Sequence, residues 1–121
     1  MERTGKNKPA LVTYGVKIRK FFYINIEPRQ NEDGSWSWSQ ITLSPGGLDY
    51  NEIVSKLILL KYDQDKLMSI INNYLDDSSS EDYKSEFLVM QAWRTEAKKI
   101  ATQAIQYAVE NGLWEEPGNN E

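Results

Sequence analysis

Residues 81–111 read EDYKSEFLVMQAWRTEAKKIATQAIQYAVEN and contain neither proline nor glycine. The stretch is dense in Ala, Lys, Gln, Glu and Met, which favour helix, and it predicts one helix of about 45 Å. Ser80 is placed to act as the N-cap, with Glu81 and Asp82 stabilised by the helix dipole in the first turn. Gly112 predicts the C-terminal stop. We expect the preceding elements to pack on this long helix.

One face of the long helix carries only small side chains. The alanines recur at i, i+4, i+7 and i+11, which places their methyl groups on one stripe: Ala97, Ala101, Ala104 and Ala108. Small residues let another backbone approach closely. The stripe is therefore either part of an internal core or, alternatively, a dimer seam with the same spacing.

The first β signal is an alternating pattern from Tyr14 to Ile26. One parity is apolar except at Lys20, and alternation of this kind predicts a strand with one buried face. The apolar positions are Tyr14, Val16, Ile18, Phe22, Ile24 and Ile26. Pro28 predicts the end of the strand or an edge position.

A second strand is predicted from Trp36 to Leu43, after the turn signal Asp33-Gly34. The two strands would form an antiparallel hairpin. Trp36 and Trp38 have one parity, whereas the apolar residues near the end of the strand have the other. A bulge near Ser39 or Gln40 would reconcile the two phases.

Two shorter helices follow the breaker Ser44-Pro45-Gly46-Gly47. Asp49 followed by Glu52 resembles a capping box for a helix over about 50–60, and Asp63 is placed to cap the next helix. The stripe of the second helix follows the i, i+3, i+4, i+7, i+8 rule: Leu67, Ile70, Ile71, Tyr74 and Leu75.

These elements predict an α+β fold, with an N-terminal antiparallel β-hairpin packed on a three-helix C-terminal part whose last helix is long. The length of 121 residues suits a single domain. We expect residues 1–10 to be a flexible arm, 11–44 the hairpin, 48–112 the helical part and 115–121 a disordered tail. Leu113 and Trp114 are expected to fold back on the helices.

The composition excludes several kinds of chemistry. The chain has no cysteine and no histidine, which removes disulfides, thiolate nucleophiles, the commonest general base and the commonest metal ligand. The acidic clusters at 63–65 and 76–82 lack the order of a calcium loop, so helix caps and a solvated loop explain them. We therefore predict no catalytic residue, no metal, no cofactor and no enzymatic activity.

The hairpin carries the candidate binding residues. Phe21 and Tyr23 share one parity of the first strand, and Trp36 and Trp38 share one parity of the second, so they can form an aromatic patch. Such a patch either caps the core over the helices or is an interface or stacking platform for bases or sugars. The hypothetical interface also includes nearby basic residues: Lys17 and Arg19, with Lys20 beside them.

Charge is distributed unevenly along the chain. Residues 1–29 carry seven Lys or Arg against two Glu, a balance of +5, whereas residues 30–121 carry seven against sixteen, a balance of −9. The asymmetry suits either a basic surface for an acidic partner or attraction between the two halves. We take nucleic acid to be the less favoured partner.

Two helical segments, together with DGSWSW in the hairpin, resemble small uncharacterised proteins encoded in prophage-like regions of anaerobic gut bacteria. The segments are KYDQDKLMSIINNYL (Lys61–Leu75) and FLVMQAWRTEAKKIA (Phe87–Ala101). The resemblance carries no motif of known chemistry and transfers no catalytic residue. It implies a virion accessory or assembly protein rather than an enzyme, with packing and salt-bridging roles for Trp93 and Arg94.

The resulting expectation is a non-catalytic interaction or assembly protein, related to phage, that contacts a second copy of itself or another protein. The alternative is a small module that binds a ligand or single-stranded nucleic acid through the hairpin aromatics and basic residues. No apolar run approaches the 18 residues of a membrane span. We expect a cytoplasmic protein, or a virion-associated one if it is related to phage.

Overall fold

A computed structural model describes residues 1–115 of the chain. Four antiparallel strands form one sheet in the order β1-β4-β3-β2, and three helices follow. The predicted α+β class and the long last helix are confirmed. The elements are β1 (Glu2–Gly5), β2 (Val12–Val16), β3 (Lys20–Gln30), β4 (Trp36–Thr42), α1 (Tyr50–Lys61), α2 (Gln64–Asp76) and α3 (Glu81–Glu110).

Helix α3 begins and ends where the sequence predicts. The Ser80 hydroxyl accepts a hydrogen bond from the Tyr83 N–H, and Gly112 takes a positive φ of 68° just after the C-cap Asn111. The four alanines of the stripe are all 0% exposed and belong to the main hydrophobic cluster. The core interpretation is therefore confirmed. The dimer-seam interpretation is wrong, because these methyl groups are already covered within one chain.

The predicted first strand is in fact two strands. Val12–Val16 and Lys20–Gln30 pair with each other antiparallel, with Val16 opposite Lys20. The chain reverses at 17–19 without glycine or proline, and the apolar alternation continues through the turn, so nothing but the phase break at Lys20 signals it. The prediction of one buried face is wrong for Tyr14, Val16 and Ile18, which are exposed.

The predicted flexible arm is wrong for residues 2–5. These residues form β1, which pairs with β4 from Glu2 opposite Ser39 to Gly5 opposite Trp36. The strand is held by backbone hydrogen bonds at the sheet edge rather than by apolar side chains, so it has no hydrophobic pattern to reveal it. The predicted two-stranded hairpin is therefore a four-stranded sheet.

The bulge lies on β3, not near Ser39 or Gln40 on β4. Ile26 pairs with Ser39 and Arg29 with Ser37, so β3 has one extra residue over this interval. Glu27 takes a positive φ of 53° there, followed by Pro28. Strand β4 itself is regular, and its two tryptophans simply face the side of the sheet opposite to Ile41.

The main core lies between one face of the sheet and helices α1 and α3. The strands contribute Phe22, Ile24 and Ile41, and α1 contributes Ile53 and Leu57. Leu113 and Trp114 pack against this cluster, as predicted. The predicted disordered tail lies outside the described residues except for Glu115.

Trp93 joins three elements at one end of the core. It is buried, and its indole N–H donates to the Leu57 carbonyl at 3.0 Å. The Lys61 ammonium lies 4.0 Å from the Trp93 ring centroid and also pairs with Glu27 at 2.8 Å. The expected packing role of Trp93 is confirmed. Arg94 donates to the Gln91 amide at 3.1 Å and has no salt bridge within residues 1–115.

Helix α2 packs on the N-terminal half of α3, away from the main cluster. Ile70 is 3% exposed, and Tyr74 stacks on Phe87 with centroids 4.2 Å apart. Ile71 is half-buried and Leu75 is exposed, so the predicted stripe is only partly covered. None of the helices in residues 1–115 combines the length and the apolar character that a membrane span requires.

Replacing Ile70 should therefore cost more than replacing Ile71. We expect Ile70→Ala to lower the free energy of unfolding by about 2–5 kcal/mol, because it leaves a cavity, and Ile71→Ala by roughly half as much. Urea denaturation followed by circular dichroism would measure both. Equal losses in the two variants would contradict the orientation of α2.

Glu52 ties the end of β4 to the start of α1. Its carboxylate accepts from the Ser44 backbone N–H at 2.8 Å, from the Ser44 hydroxyl at 2.6 Å and from Lys56 at 3.1 Å. Burial raises the pKa of this carboxyl, but the hydrogen bonds from Ser44 and the pairing with Lys56 together lower it by more, so the pKa lies below its ordinary value.

We expect Glu52→Gln to cost about 1–2 kcal/mol at pH 7, because hydrogen bonds to a charged acceptor are lost. A depressed pKa contributes stability above the unfolded-state pKa and loses it as pH falls through the folded-state pKa. The difference from wild type should therefore shrink in acid. Urea denaturation at pH 7 and in acid would show this, with the exposed Glu32→Gln as the control. A constant difference would contradict the assignment.

Candidate functional site

The candidate site is the outer face of the sheet, which is the face opposite the helices. Phe22 and Ile24 point into the core, so their neighbours Phe21 and Tyr23 point outward. Trp36 and Trp38 also lie on the outer face, because they alternate with the buried Ser37. The structure thus places all four predicted aromatics on one face, and each is half-buried.

A buried amide organises one part of this face. Asn25 is 4% exposed, and its amide nitrogen donates to the Ala10 carbonyl at 2.9 Å and to the Thr13 hydroxyl at 3.0 Å. Its amide oxygen accepts from the Trp38 indole at 3.1 Å and from Gln40 at 2.7 Å. All polar groups of the Asn25 side chain are therefore satisfied, and the Trp38 N–H is already in use.

The segment 6–11 crosses the outer face from β1 at one edge to β2 at the other. Its Ala10 carbonyl reaches Asn25 of β3, and the Lys8 ammonium lies 5.9 Å from the Trp36 ring centroid. The Trp38 ring also lies close to Gly5, where an added Cβ would come within 3.1 Å of it. Trp36 and Trp38 thus hold the crossing segment in place as well as contributing to the outer face.

Phe21 and Tyr23 form the other part of the face. Their rings meet edge-to-face with centroids 5.2 Å apart. Phe21 lies over Gly15 of the neighbouring strand, where an added Cβ would come within 2.8 Å of the ring. Tyr23 lies opposite Thr13 on one side and Thr42 on the other, so only small residues flank it. Neither side chain makes a hydrogen bond within the described residues.

Cationic side chains lie beside the tryptophans and in the turn that precedes Phe21. Lys17 and Arg19 lie exposed in the β2–β3 turn, and Arg19 donates to the Pro45 carbonyl at 3.4 Å. Arg3, in β1, lies opposite Trp38 and donates to the Gln40 amide oxygen at 3.0 Å. Nothing in the sequence predicts that Arg3 and Lys8 belong to this face, because their segment has no apolar alternation that would indicate a strand.

Lys20 does not belong to the outer face. Its ammonium donates to the Leu113 carbonyl at 2.9 Å and lies 4.4 Å from the Tyr14 ring centroid, on the side of the helices. The contribution of Lys20 to the hypothetical interface is therefore wrong. Its role is to hold the Leu113 backbone against the sheet.

Three acidic side chains, Asp33, Asp49 and Asp63, have structural partners. Asp49 and Asp63 cap α1 and α2 by accepting from the N–H groups of Glu52 and Lys66. The Ser35 hydroxyl and N–H lower the pKa of Asp33 below its ordinary range. Among residues 1–115, no group of three or more His, Cys, Asp or Glu could hold a metal ion.

An open groove of about 310 Å³ lies between segment 8–11, the β3 bulge and α3. Its lining combines apolar side chains from all three elements with charged ones, which are Lys8, Glu27 and Glu96. No protein-family model, curated protein or solved structure matches the chain. The function is therefore inferred from the geometry of these residues alone.

Asn25→Leu should release the crossing segment from the sheet. The variant leaves the Trp38 and Gln40 donors and the Ala10 carbonyl without their partner, which should cost about 2–4 kcal/mol of unfolding free energy. It should also speed tryptic cleavage after Lys6, which a general loss of packing alone would not do selectively. Urea denaturation and timed proteolysis, with Asn73→Leu in α2 as the control, would measure both. Unchanged cleavage after Lys6 would contradict the role of Asn25.

Proposed function

We propose that the chain is a non-catalytic interaction protein that binds another macromolecule through the outer face of its sheet. The observation that carries the proposal is that four half-buried aromatic side chains share a sheet face that no helix covers. An antiparallel sheet with one packed face is ordinarily polar on the other face. Aromatic residues are enriched at protein interfaces, where large rings contribute most of the binding energy.

The four rings differ in their contacts with the rest of the fold, and this difference supports the proposal. Trp36 and Trp38 have structural contacts with segment 6–11, so their presence is explained by the fold. Phe21 and Tyr23 contact each other and a glycine, and the fold gives them no partner that requires an aromatic ring. We therefore place the centre of the interface at Phe21 and Tyr23.

Binding rather than catalysis is supported by the side chains at the face. The sequence has neither histidine nor cysteine. Among residues 1–115, two carboxyls have displaced pKa values, Asp33 and Glu52, and they are explained by a turn and by the β4–α1 junction. An acid or base tuned for catalysis would instead face a cleft where substrate can reach it.

Binding of single-stranded nucleic acid is the second candidate function for the same face. It is favoured by charge: Arg3 and Lys8 lie beside the tryptophans, and Lys17 and Arg19 lie in the turn that precedes β3, whereas the paired strand positions on the outer face carry no carboxylate. Bases stack on exposed aromatic rings, and cations hold the phosphates. A protein partner with an acidic, apolar surface would suit the same arrangement, and we rank it first.

The resemblance of residues 61–75 and 87–101 to prophage-like proteins leads us to propose a phage-related assembly as the setting. In that setting, the partner is a virion component or a second assembly protein. Tail or capsid genes beside this one would support the setting, and neighbours of unrelated function would oppose it.

Tyr23→Ala should abolish partner binding while leaving the fold intact. We expect wild-type protein immobilised on beads to retain a protein partner from a lysate of the source cells, and Tyr23→Ala to lose it. Tyr50→Ala removes an exposed tyrosine from the helical side and should bind as wild type does. Circular dichroism checks folding. Equal capture by all three proteins would contradict the proposal.

Fluorescence anisotropy with a labelled single-stranded oligonucleotide separates the two candidates. Nucleic-acid binding should weaken steeply with salt and be lost in both Tyr23→Ala and Arg3→Ala. Protein binding predicts no anisotropy change with the oligonucleotide. Oligonucleotide binding that survives both substitutions would exclude the outer face as the nucleic-acid site.

A further inference from the structure

Strand β2 presents a free edge of the sheet. It pairs with β3 on one side, and its other side has no strand within the described residues. The Asn25 N–H donates to the Leu11 carbonyl at 2.8 Å. In an antiparallel pair every second residue faces the partner strand, so the odd-numbered residues of β2 direct their N–H and C=O groups toward β3. The even-numbered residues Val12, Tyr14 and Val16 therefore direct their N–H and C=O groups outward.

The two edges of the sheet are protected to different degrees. β1 is four residues long and carries Glu2 and Arg3, which are features that discourage strand pairing. β2 has the sequence VTYGV, with no charge, no proline and a regular register. β2 thus lacks the charged residues, prolines and bulges that usually prevent an edge strand from pairing with another chain.

Apolar side chains accompany the free edge. Tyr14 is 53% exposed, Val16 is 66% exposed and Ile18, in the turn that follows, is 96% exposed. Tyr14 and Val16 project to the same side of the sheet as the buried Val12. An unpaired backbone edge and exposed apolar side chains therefore occur at one place on the surface.

The edge is complementary to itself. An antiparallel pairing centred on Tyr14 places Val12 of one copy opposite Val16 of the other, so every outward N–H and C=O of the three residues finds a partner. The apolar side chains of both copies would then lie on the same side of a continuous sheet, where they cover one another.

Charge complementarity also favours a second copy of the chain as the binding partner. In this register, the β2–β3 turn of one copy passes beside the residues that precede β2 in the other, where the 310 Å³ groove lies. Half-buried Leu11 in its lining offers an apolar contact to Ile18. Lys17 and Arg19 flank Ile18. The charged residues of the groove lining are Glu27, Glu96 and Lys8, so acidic groups outnumber basic ones, and Glu96 forms no salt bridge within residues 1–115.

We propose that two copies of the chain associate through β2 in this antiparallel register, with Ile18 of each seated in the groove of the other. The contact uses the edge of the sheet and leaves Phe21 and Tyr23 on the outer face free. It therefore stands or fails separately from the proposed function.

Multi-angle light scattering from about 1 to 300 μM should show a concentration-dependent dimer of the full chain. Val16→Lys and Ile18→Asp should each weaken it at least about tenfold, because a charge would enter the apolar contact. Both positions are exposed in the single chain, so the fold should survive, and circular dichroism would confirm that. Val109→Lys, at an exposed apolar position on α3, should dimerise as wild type does.

Charge reversal tests the turn-to-groove contact. Glu96→Lys should weaken the dimer by repelling Lys17, and the double variant Lys17→Glu with Glu96→Lys should recover part of the affinity. Wild-type protein that stays monomeric at about 300 μM would overturn the proposal. A dimer that Val16→Lys leaves unchanged would overturn it as well.

A cysteine on the proposed axis locates the contact directly, because the chain has no cysteine of its own. Tyr14→Cys should be cross-linked to itself by a short bis-maleimide, whereas Thr4→Cys on β1 should not. Cross-linking through Thr4 and not through Tyr14 would place the contact at the other edge and overturn the proposal.

Discussion

The main core depends on the alanine face of α3, whose four methyl groups all belong to the main hydrophobic cluster. Because the four methyl groups are small and fully buried, the backbone of α3 can approach its neighbours closely in its C-terminal half. Bulkier buried side chains, Met90 and Trp93, precede the alanines along the helix. Toward the N-terminus, α3 packs with α2 instead, and the Tyr74–Phe87 stack and Ile70 fill that smaller interface.

The helices could be predicted from the sequence because their signals are local. Asp49, Asp63 and Ser80 each cap the helix that the sequence indicates, and Gly112 adopts the positive φ that ends α3. The number of strands and their bounds could not be predicted in this way, because their signals are not local. Alternation continues through the turn at 17–19, and β1 is held by backbone pairing, which leaves no pattern in side-chain type.

The candidate site, like the fold, could be predicted from the sequence only in part. Parity along each strand placed Phe21, Tyr23, Trp36 and Trp38 on common faces, and the regular pairing of β3 with β4 joins those faces into one. The hydrogen bond from Trp38 goes to Asn25, which in turn binds segment 6–11. These residues come together only because of the order of the strands in the sheet, which the sequence pattern does not reveal. Arg3 enters the site for the same reason, as a consequence of sheet topology rather than of its sequence neighbours.

The two proposed contacts fit one geometry. A two-fold pairing of β2 with its copy joins two four-stranded sheets in one surface, and the axis runs through that surface, so both outer faces lie on the same side. Phe21 and Tyr23 sit on the strand next to β2, close to the axis, rather than at the far edge. A partner with repeated surfaces would then meet two aromatic centres at once, and the second contact would form at high effective concentration. Weak binding by each outer face is thereby compatible with stable attachment to an assembly built from repeated subunits.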